Sequence, residues 1–359
     1  MRSLFAILFV LGLAVAGWCE TSHEAVAASY QAELTRAELE RLLGAGWSEA
    51  PPVALRHLDR NDAALEQARK SRSSPILNEQ SLERWCDLAR TLALRALFRA
   101  ATGRADAVDD LVASLELGQQ LRMRRKPGEQ LAGMAVQRSA LRAVVTWLNQ
   151  VDDVASVEKL TTGMKSIDPH RAPVTISLTN DLSLARKRVG ELCEQPPASG
   201  EGPEGLLIRL RSGQREEVNR HYGRLSVAYL GAVRQALSVP GSNAVKDFFT
   251  ELKNAQPRSR MLMPSAEQLA QAIALATFPP ADKLIEGQRE TDGFWQAAQF
   301  LVKTRSSMLK AGPEWSYSSL QTPSGMSLRD DDGTVVVTTR SGAEFRLTKP
   351  TLEKAVHDE

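Results

Sequence analysis

The run from residue 84 to residue 148 constrains the fold more than any other part of the chain. In "RWCDLARTLALRALFRAA", Trp85, Leu88, Ala89, Leu92 and Ala96 recur at helical spacing, and Leu94, Leu97 and Phe98 add a second apolar stripe. A helix that is apolar on two faces belongs inside a stack. "TGR" (Thr102 to Arg104) then turns the chain, and Ala107, Val108, Leu111, Val112 and Leu115 form the facing stripe of the next helix. A third helix carries Leu141, Val144, Val145 and Leu148 in register. Breaks this short force antiparallel neighbours, so Asn78 to Leu148 predicts an α-α hairpin extended by another helix.

Within this run, "GRADAVDDLVASLEL" resembles the second helix of a tetratricopeptide repeat: Gly103 at the turn, Ala107 where two helices approach closely, then Leu111 and Leu115. Ser114 stands where that family usually has alanine, no proline closes the unit, and no second copy follows at the family's spacing. More broadly, residues 84–148, with the texture "LRALFRAATGRADAVDDL", resemble a group of uncharacterised exported bacterial α-helical proteins. That resemblance implies export and a helical array, and it carries no activity or catalytic residues with it.

The beginning of the chain points the same way. Arg2 precedes "LFAILFVLGLAVA" (Leu4 to Ala16), an apolar run shorter than the ~18 residues a membrane-spanning helix needs. Ala14 and Ala16 are the small residues signal peptidase accepts, so residues 1–16 read as a signal peptide cleaved after Ala16. The alternatives are an uncleaved anchor or lipidation at Cys19, the latter opposed by the bulky Trp18 before it. The expectation is a periplasmic or extracellular protein that meets a membrane only through that segment.

Beyond Gln150 the pattern continues as helices with longer breaks. "DDVASVEKLTTG" reads as a short helix that Gly163 closes, Leu178 to Cys193 is helical, and Leu206 to Leu237 resumes as helix. "PSAEQLAQAIALATF" opens with a capping box, Ser265 with Gln268, and "DGFWQAAQFLVKTRSSML" is the last amphipathic helix. The end differs in kind: "GMSLRDDDGTVVVTTRSGAEFRLT" alternates and carries turn signals at Asp332-Gly333 and Ser341-Gly342. The fold class is therefore mainly α, an antiparallel helical-hairpin stack, tetratricopeptide-like or irregular, with a short C-terminal β-hairpin or three-stranded meander that must dock to persist. The division expected is an N-terminal helical domain over 17–195, a linker over 196–205, a second helical segment over 206–310 and a C-terminal loop and hairpin over 311–359.

Chemical motifs are sparse. "GEGPEG" (Gly200 to Gly205) matches a dinucleotide-binding pattern but follows "QPPAS" instead of a strand. "SVEK" (Ser156 to Lys159) matches a serine–lysine spacing without the companion strand such enzymes need, which leaves an exposed helix face. Glu217 and His221 lie one helical turn apart, yet a metal needs a third ligand, and His23, His57, His170 and His357 are scattered. "RDDDGT" lacks the acidic first position and closing glutamate of a calcium loop and reads as a turn. With 25% charged residues and a net charge of +2, nothing favours nucleic acid. The one basic cluster, "RMRRK" (Arg122 to Lys126), precedes Pro127-Gly128, where cations face the unpaired carbonyls of a helix end. A Cys86–Cys193 bridge is open to an exported chain, although Trp85 and Leu192 beside them favour two buried thiols.

The function these features favour is a non-enzymatic exported scaffold that binds a protein or an envelope component, without cofactor or metal. The alternative is an envelope enzyme of the hydrolase class, its site assembled from separate helices, with Glu217 and His221 the first catalytic candidates. The stretch Glu194 to Gly205, rich in Pro and Gly with no apolar anchor, cannot offset its own ordering entropy. Limited digestion with a glutamate-specific protease is expected to cut first at Glu201 and Glu204. First cuts inside Leu88 to Leu148, read by mass spectrometry, would mean that the helical stack is not a stable unit.

Overall fold

The computed structural model describes residues 23–71, 78–124, 126–167, 174–196, 207, 210–239, 241–254, 265–279 and 281–350. The signal-peptide segment, Cys19, His170, His357 and the Gly200 to Gly205 motif lie outside them. The helices are α1 (residues 23–29), α2 (Arg36–Ala45), α3 (Pro52–Lys70), α4 (Glu79–Ala101), α5 (Ala107–Arg122), α6 (Pro127–Leu148), α7 (Val154–Ser166), α8 (Val174–Glu194), α9 (Ser212–Ser238), α10 (Ala244–Asn254), α11 (Ala266–Thr277) and α12 (Asp282–Ala311). Strands β1 (Ser327–Asp331), β2 (Thr334–Thr338) and β3 (Glu344–Thr348) follow as an antiparallel sheet of order β1-β2-β3, not closed into a barrel. The architecture is a mainly α-helical, repeat-like array with a C-terminal meander.

Two compact units divide the chain: one holds residues up to 124, 128–172 and 290 onward, the other 125–127 and 173–289. Inside the second unit α8 packs along α9, and all but the first residue of the linker expected over 196–205 lies outside the described residues. There Tyr222 and Tyr229 of α9 meet Phe278, and Tyr222 Oη and Thr277 Oγ1 lie 2.8 Å apart.

In the first unit, α4 is the axis. Leu88, Ala89, Leu92, Leu94, Ala96 and Leu97 are all buried, as the two apolar stripes require, and each buried leucine contributes about 1.5–3 kcal/mol. Local signals set the helix starts: Asn78 accepts from the Ser81 N–H, Thr35 and Glu38 form a capping box, and Asp153 accepts from the Ser156 N–H. Ser265 and Gln268 form the capping box that opens α11.

Glycines set two of the crossings. Gly163 does not close a helix; α7 runs through it to Ser166, and the position takes glycine because a Cβ there would lie 2.4 Å from Val112 Cγ2 on α5. The helices α5 and α6 cross where a Cβ on Gly133 would lie 2.6 Å from the Gly118 carbonyl. That crossing buries Arg122, which donates to Gln137 Oε1 at 2.6 Å. The first residue of the basic cluster thus points into the protein instead of capping carbonyls at the surface, and Arg124 pairs with Glu129.

An ion cluster lies at the seam of α3, α4 and α5. Arg95 grips the fully buried Asp110 with two hydrogen bonds, Nε to Oδ2 at 2.9 Å and Nη2 to Oδ1 at 2.8 Å, and reaches Asp62 and Glu66 on α3. Arg99, one turn on, pairs with Asp106, Asp110 and Glu66. Burial lifts the Asp110 carboxyl above its ordinary value against the pull of these guanidinium groups.

A second buried polar group holds α1 and the segment after it. His57 Nδ1 accepts from the Glu33 N–H at 3.3 Å, so the ring proton sits on Nε2, 3.1 Å from Thr91 Oγ1 and 3.4 Å from Tyr30 Oη. Asn61 exchanges two hydrogen bonds with the Gln31 backbone. Burial pushes the His57 imidazole below its ordinary value of 6.5, with the Glu33 charge partly opposing. Below about pH 6.5 the unfolded chain therefore takes up a proton that the folded ring resists, so stability falls as the pH drops through that value. The urea midpoint is expected to fall between pH 7.5 and 5.5, and His57→Gln is expected to flatten that dependence; an unchanged slope in the variant would refute the assignment.

Candidate functional site

The structure spreads the described residues that the sequence singled out for chemistry over separate elements. On α9, Glu217 is exposed and His221 half-buried, and among the described residues no group of three His, Cys, Asp or Glu is placed to hold a metal. His23 packs edge-on against Trp85 and bonds Ser71 Oγ at 2.7 Å, whereas His57 serves the polar cluster just described. Ser156 lies in the first turn of α7, and Lys159 pairs with Asp109 of α5 at 2.7 Å. Cys86 and Cys193 are buried free thiols; burial pushes Cys86 up to about 11 and raises Cys193. No helix among the described residues is long and apolar enough to cross a membrane.

The "RDDDGT" segment ends β1 at Asp331, turns at Asp332-Gly333 and enters β2 at Thr334. Asp332 and Gly333 have φ of 49° and 81°, the pair of positive values a type I′ hairpin requires, and Asp330 Oδ1 accepts from the Gly333 N–H. The register follows: Asp331 faces Thr334, Val335 faces Leu347 and Val337 faces Phe345. This puts Val335, Val337, Phe345 and Leu347 into the apolar core shared with α4, α5 and α6, with Phe345 edge-on to Phe294 of α12 at 4.9 Å.

Among the described residues of the first unit, two clefts stand out. The larger, about 730 Å³, lies over α5 and α7 beside Arg69 and Lys70. Two of its charges are taken up within the fold, Lys159 by Asp109 and Arg69 by Glu66, and Val112 and Gly163, which meet at the α5–α7 crossing, line it. The second, about 690 Å³, runs between α2, α6 and β3. Its walls mix apolar Ala45, Val145 and Phe345 with Arg41, Arg142 and Arg346.

How β3 borders this groove is decided by one side chain. Asn149, just past the end of α6, donates from Nδ2 to the Arg346 carbonyl at 3.0 Å and accepts at Oδ1 from the Thr348 N–H at 2.8 Å. A side-chain amide here does what a neighbouring strand would do, and Arg305 of α12 extends the ladder by donating to the Thr348 carbonyl at 3.0 Å and to the Val151 carbonyl. Burial lowers Arg305 from its ordinary value. On the opposite wall Glu40 is held by the buried Arg90 at 2.8 Å and by the Ser139 hydroxyl. Arg142 stands over the Phe294 ring, 5.3 Å from its centre.

None of Asn149, Arg142, Arg346 and Glu40 stood out in the sequence. The strand alternation could have placed Glu344, Arg346 and Thr348 on one side of β3, but the Asn149 contacts span 197 and 199 positions and leave no local pattern.

The chain finds no match among family models, curated proteins or solved structures. The groove is therefore read from its own geometry. Asn149→Leu, which keeps the size and removes the amide, is expected to leave Arg346 and Thr348 backbone groups unpaired at a cost of about 1–3 kcal/mol. Hydrogen exchange is expected to show faster loss of protection at the Thr348 amide than at Val336; equal exchange rates in variant and parent would overturn the docking role.

Proposed function

We propose that the protein is an exported, non-enzymatic scaffold that binds another protein or envelope component through the groove between α2, α6 and β3. The observation that carries this reading is the strand edge left partly open inside a groove whose walls are held rigidly from behind. Asn149 and Arg305 fix β3, Glu40 is anchored on Arg90, and Arg142 rests on Phe294, so the surface is preformed and an occupant meets little reorganisation. Apolar patches rimmed by charged side chains are the common composition of a binding groove.

Export belongs to this reading through Arg2, the apolar run Leu4 to Ala16 and the small residues Ala14 and Ala16. So does a tetratricopeptide-like character for the α4–α5 hairpin, carried by Gly103, Ala107, Leu111 and Leu115. Both extend the same idea: a helical frame outside the cytoplasm that presents a binding edge.

The test is site-specific photocrosslinking in the producing cell, with the reactive side chain at Ser48 or Gln150 on the groove rim and at Lys303 on the exposed face of α12 as control. One discrete partner captured from both rim positions and not from Lys303 is the expected result. Capture at Lys303 alone, or no adduct at either rim position, would overturn the assignment of the groove.

A further inference from the structure

We infer that the groove takes an extended segment of a partner protein, added beside β3 as a further strand, with acidic side chains alternating with apolar ones. The inference rests on the binding reading above and names the chemistry of the occupant.

The backbone argument comes first. In an antiparallel pair, residues alternate between those that exchange both hydrogen bonds with the partner strand and those whose N–H and C=O point away. The Thr339 N–H donates to the Ala343 carbonyl and the Lys349 N–H to the Gly333 carbonyl, so positions 343, 345, 347 and 349 face β2. Glu344, Arg346 and Thr348 therefore turn their backbone groups outward, which is where Asn149 and Arg305 meet them. Those two side chains take the Arg346 carbonyl and both groups of Thr348. What is left on the edge is the Arg346 N–H and the N–H and C=O of Glu344, for which no partner occurs among the described residues. Glu344 and Arg346 line the groove. An incoming chain that pairs there continues the ladder Asn149 has begun, and strand addition of this kind draws its affinity from main-chain bonds.

Side-chain chemistry then selects the sequence. A strand alternates its faces, so one set of incoming side chains lies on the Phe345 side, where Ala45, Val145 and Arg142 line the groove, and the next set lies on the side of Arg346. The groove's own carboxylates have their nearer partners elsewhere, Glu40 in the buried Arg90 and Ser139 and Glu344 in Arg329 at 3.2 Å, and meet the groove arginines at longer range, Arg142 at 3.7 Å and Arg346 at 3.6 Å. Arg346 touches Asp331 and Glu344 through exposed pairs, which contribute little and exchange readily for an incoming carboxylate. The Arg142 and Arg346 side chains keep 47% and 56% of their surface exposed, enough to fork onto a carboxylate. A basic segment would bring its cations against these guanidinium groups.

The experiment uses the full chain and a fluorescein-labelled peptide of alternating Val and Glu, read by fluorescence anisotropy at low salt. The Val–Glu peptide is expected to bind, and an alternating Val–Lys peptide is not. N-methylation of alternate amides in the Val–Glu peptide, which leaves its charge intact, is expected to weaken it by about tenfold or more, the loss of roughly one good hydrogen bond. Arg142→Glu is expected to lose the Val–Glu peptide and gain the Val–Lys peptide, a reversal that a merely unfolded variant would not show. Equal binding of both peptides, indifference to N-methylation, or no binding of the Val–Glu peptide overturns the inference. Rim crosslinks that persist while the Val–Glu peptide fails would leave the groove as a binding site and remove only this occupant.

Discussion

The Arg95–Asp110 pair is the interaction on which the first unit depends. Asp110 is fully buried on α5 and Arg95 is 3% exposed on α4, so each charge has left water and needs the other. The two parallel hydrogen bonds fix the rotation of α4 against α5, and the reach to Asp62 and Glu66 adds α3 to the same constraint. Such a pair adds little net stability over apolar residues of the same size. Removing one partner, however, costs about 3–5 kcal/mol, because it strands the other charge. Its contribution is register: the apolar stripes of α4 would tolerate small rotations, and the ion cluster does not.

From that fixed helix trio the frame extends to the sheet by a short chain of contacts. The apolar core runs from Leu92 and Leu111 through Val144 to Val335 and Leu347, while Asn149 and Arg305 hold the edge of β3 by its backbone. Side-chain amides and guanidinium groups do here what a fourth strand would do, which is how a meander too small to persist alone becomes part of the core. The groove is a by-product of this arrangement. Asn149 satisfies the far end of the edge, α2 stands opposite, and the stretch at Glu344 and Arg346 is left with no strand beside it.

What the sequence disclosed and what it hid divide along one physical line. The helices α4, α5 and α6, the meander and the Asp332-Gly333 turn are legible because each follows from periodicity or from a residue type with one conformational use. Local signals misled where packing decided: Gly163 looks like a helix stop and is a contact with Val112, and Arg122 looks like a surface cap and is buried against Gln137. The packing of α8 on α9 has no local signal either. The ion cluster is half visible in hindsight. Arg95 and Arg99 stand one turn apart on α4, as do Asp106 and Asp110 around the start of α5, a spacing that faces two pairs of opposite charge across a hairpin. The groove was not legible at all, because its walls come from α2, α6 and β3, and no pattern within any one of them encodes the meeting.

The two edges of the sheet are treated in opposite ways, and the difference bears on how the groove can act. The open edge of β1 carries Arg329, Asp330 and Asp331, with four of its five residues exposed, and charge at an edge discourages another strand from pairing there. On β3 the edge is sheltered by α6 and closed by Asn149 and Arg305, except beside Glu344 and Arg346. A window that short offers an incoming strand few main-chain bonds. The proposed strand addition would therefore combine those few main-chain bonds with side chains meeting Arg142 and Arg346, and would be weak and readily reversed. Charge at β1 and the side-chain bonds at the far end of β3 oppose indiscriminate sheet growth and leave only this short window beside Glu344 and Arg346.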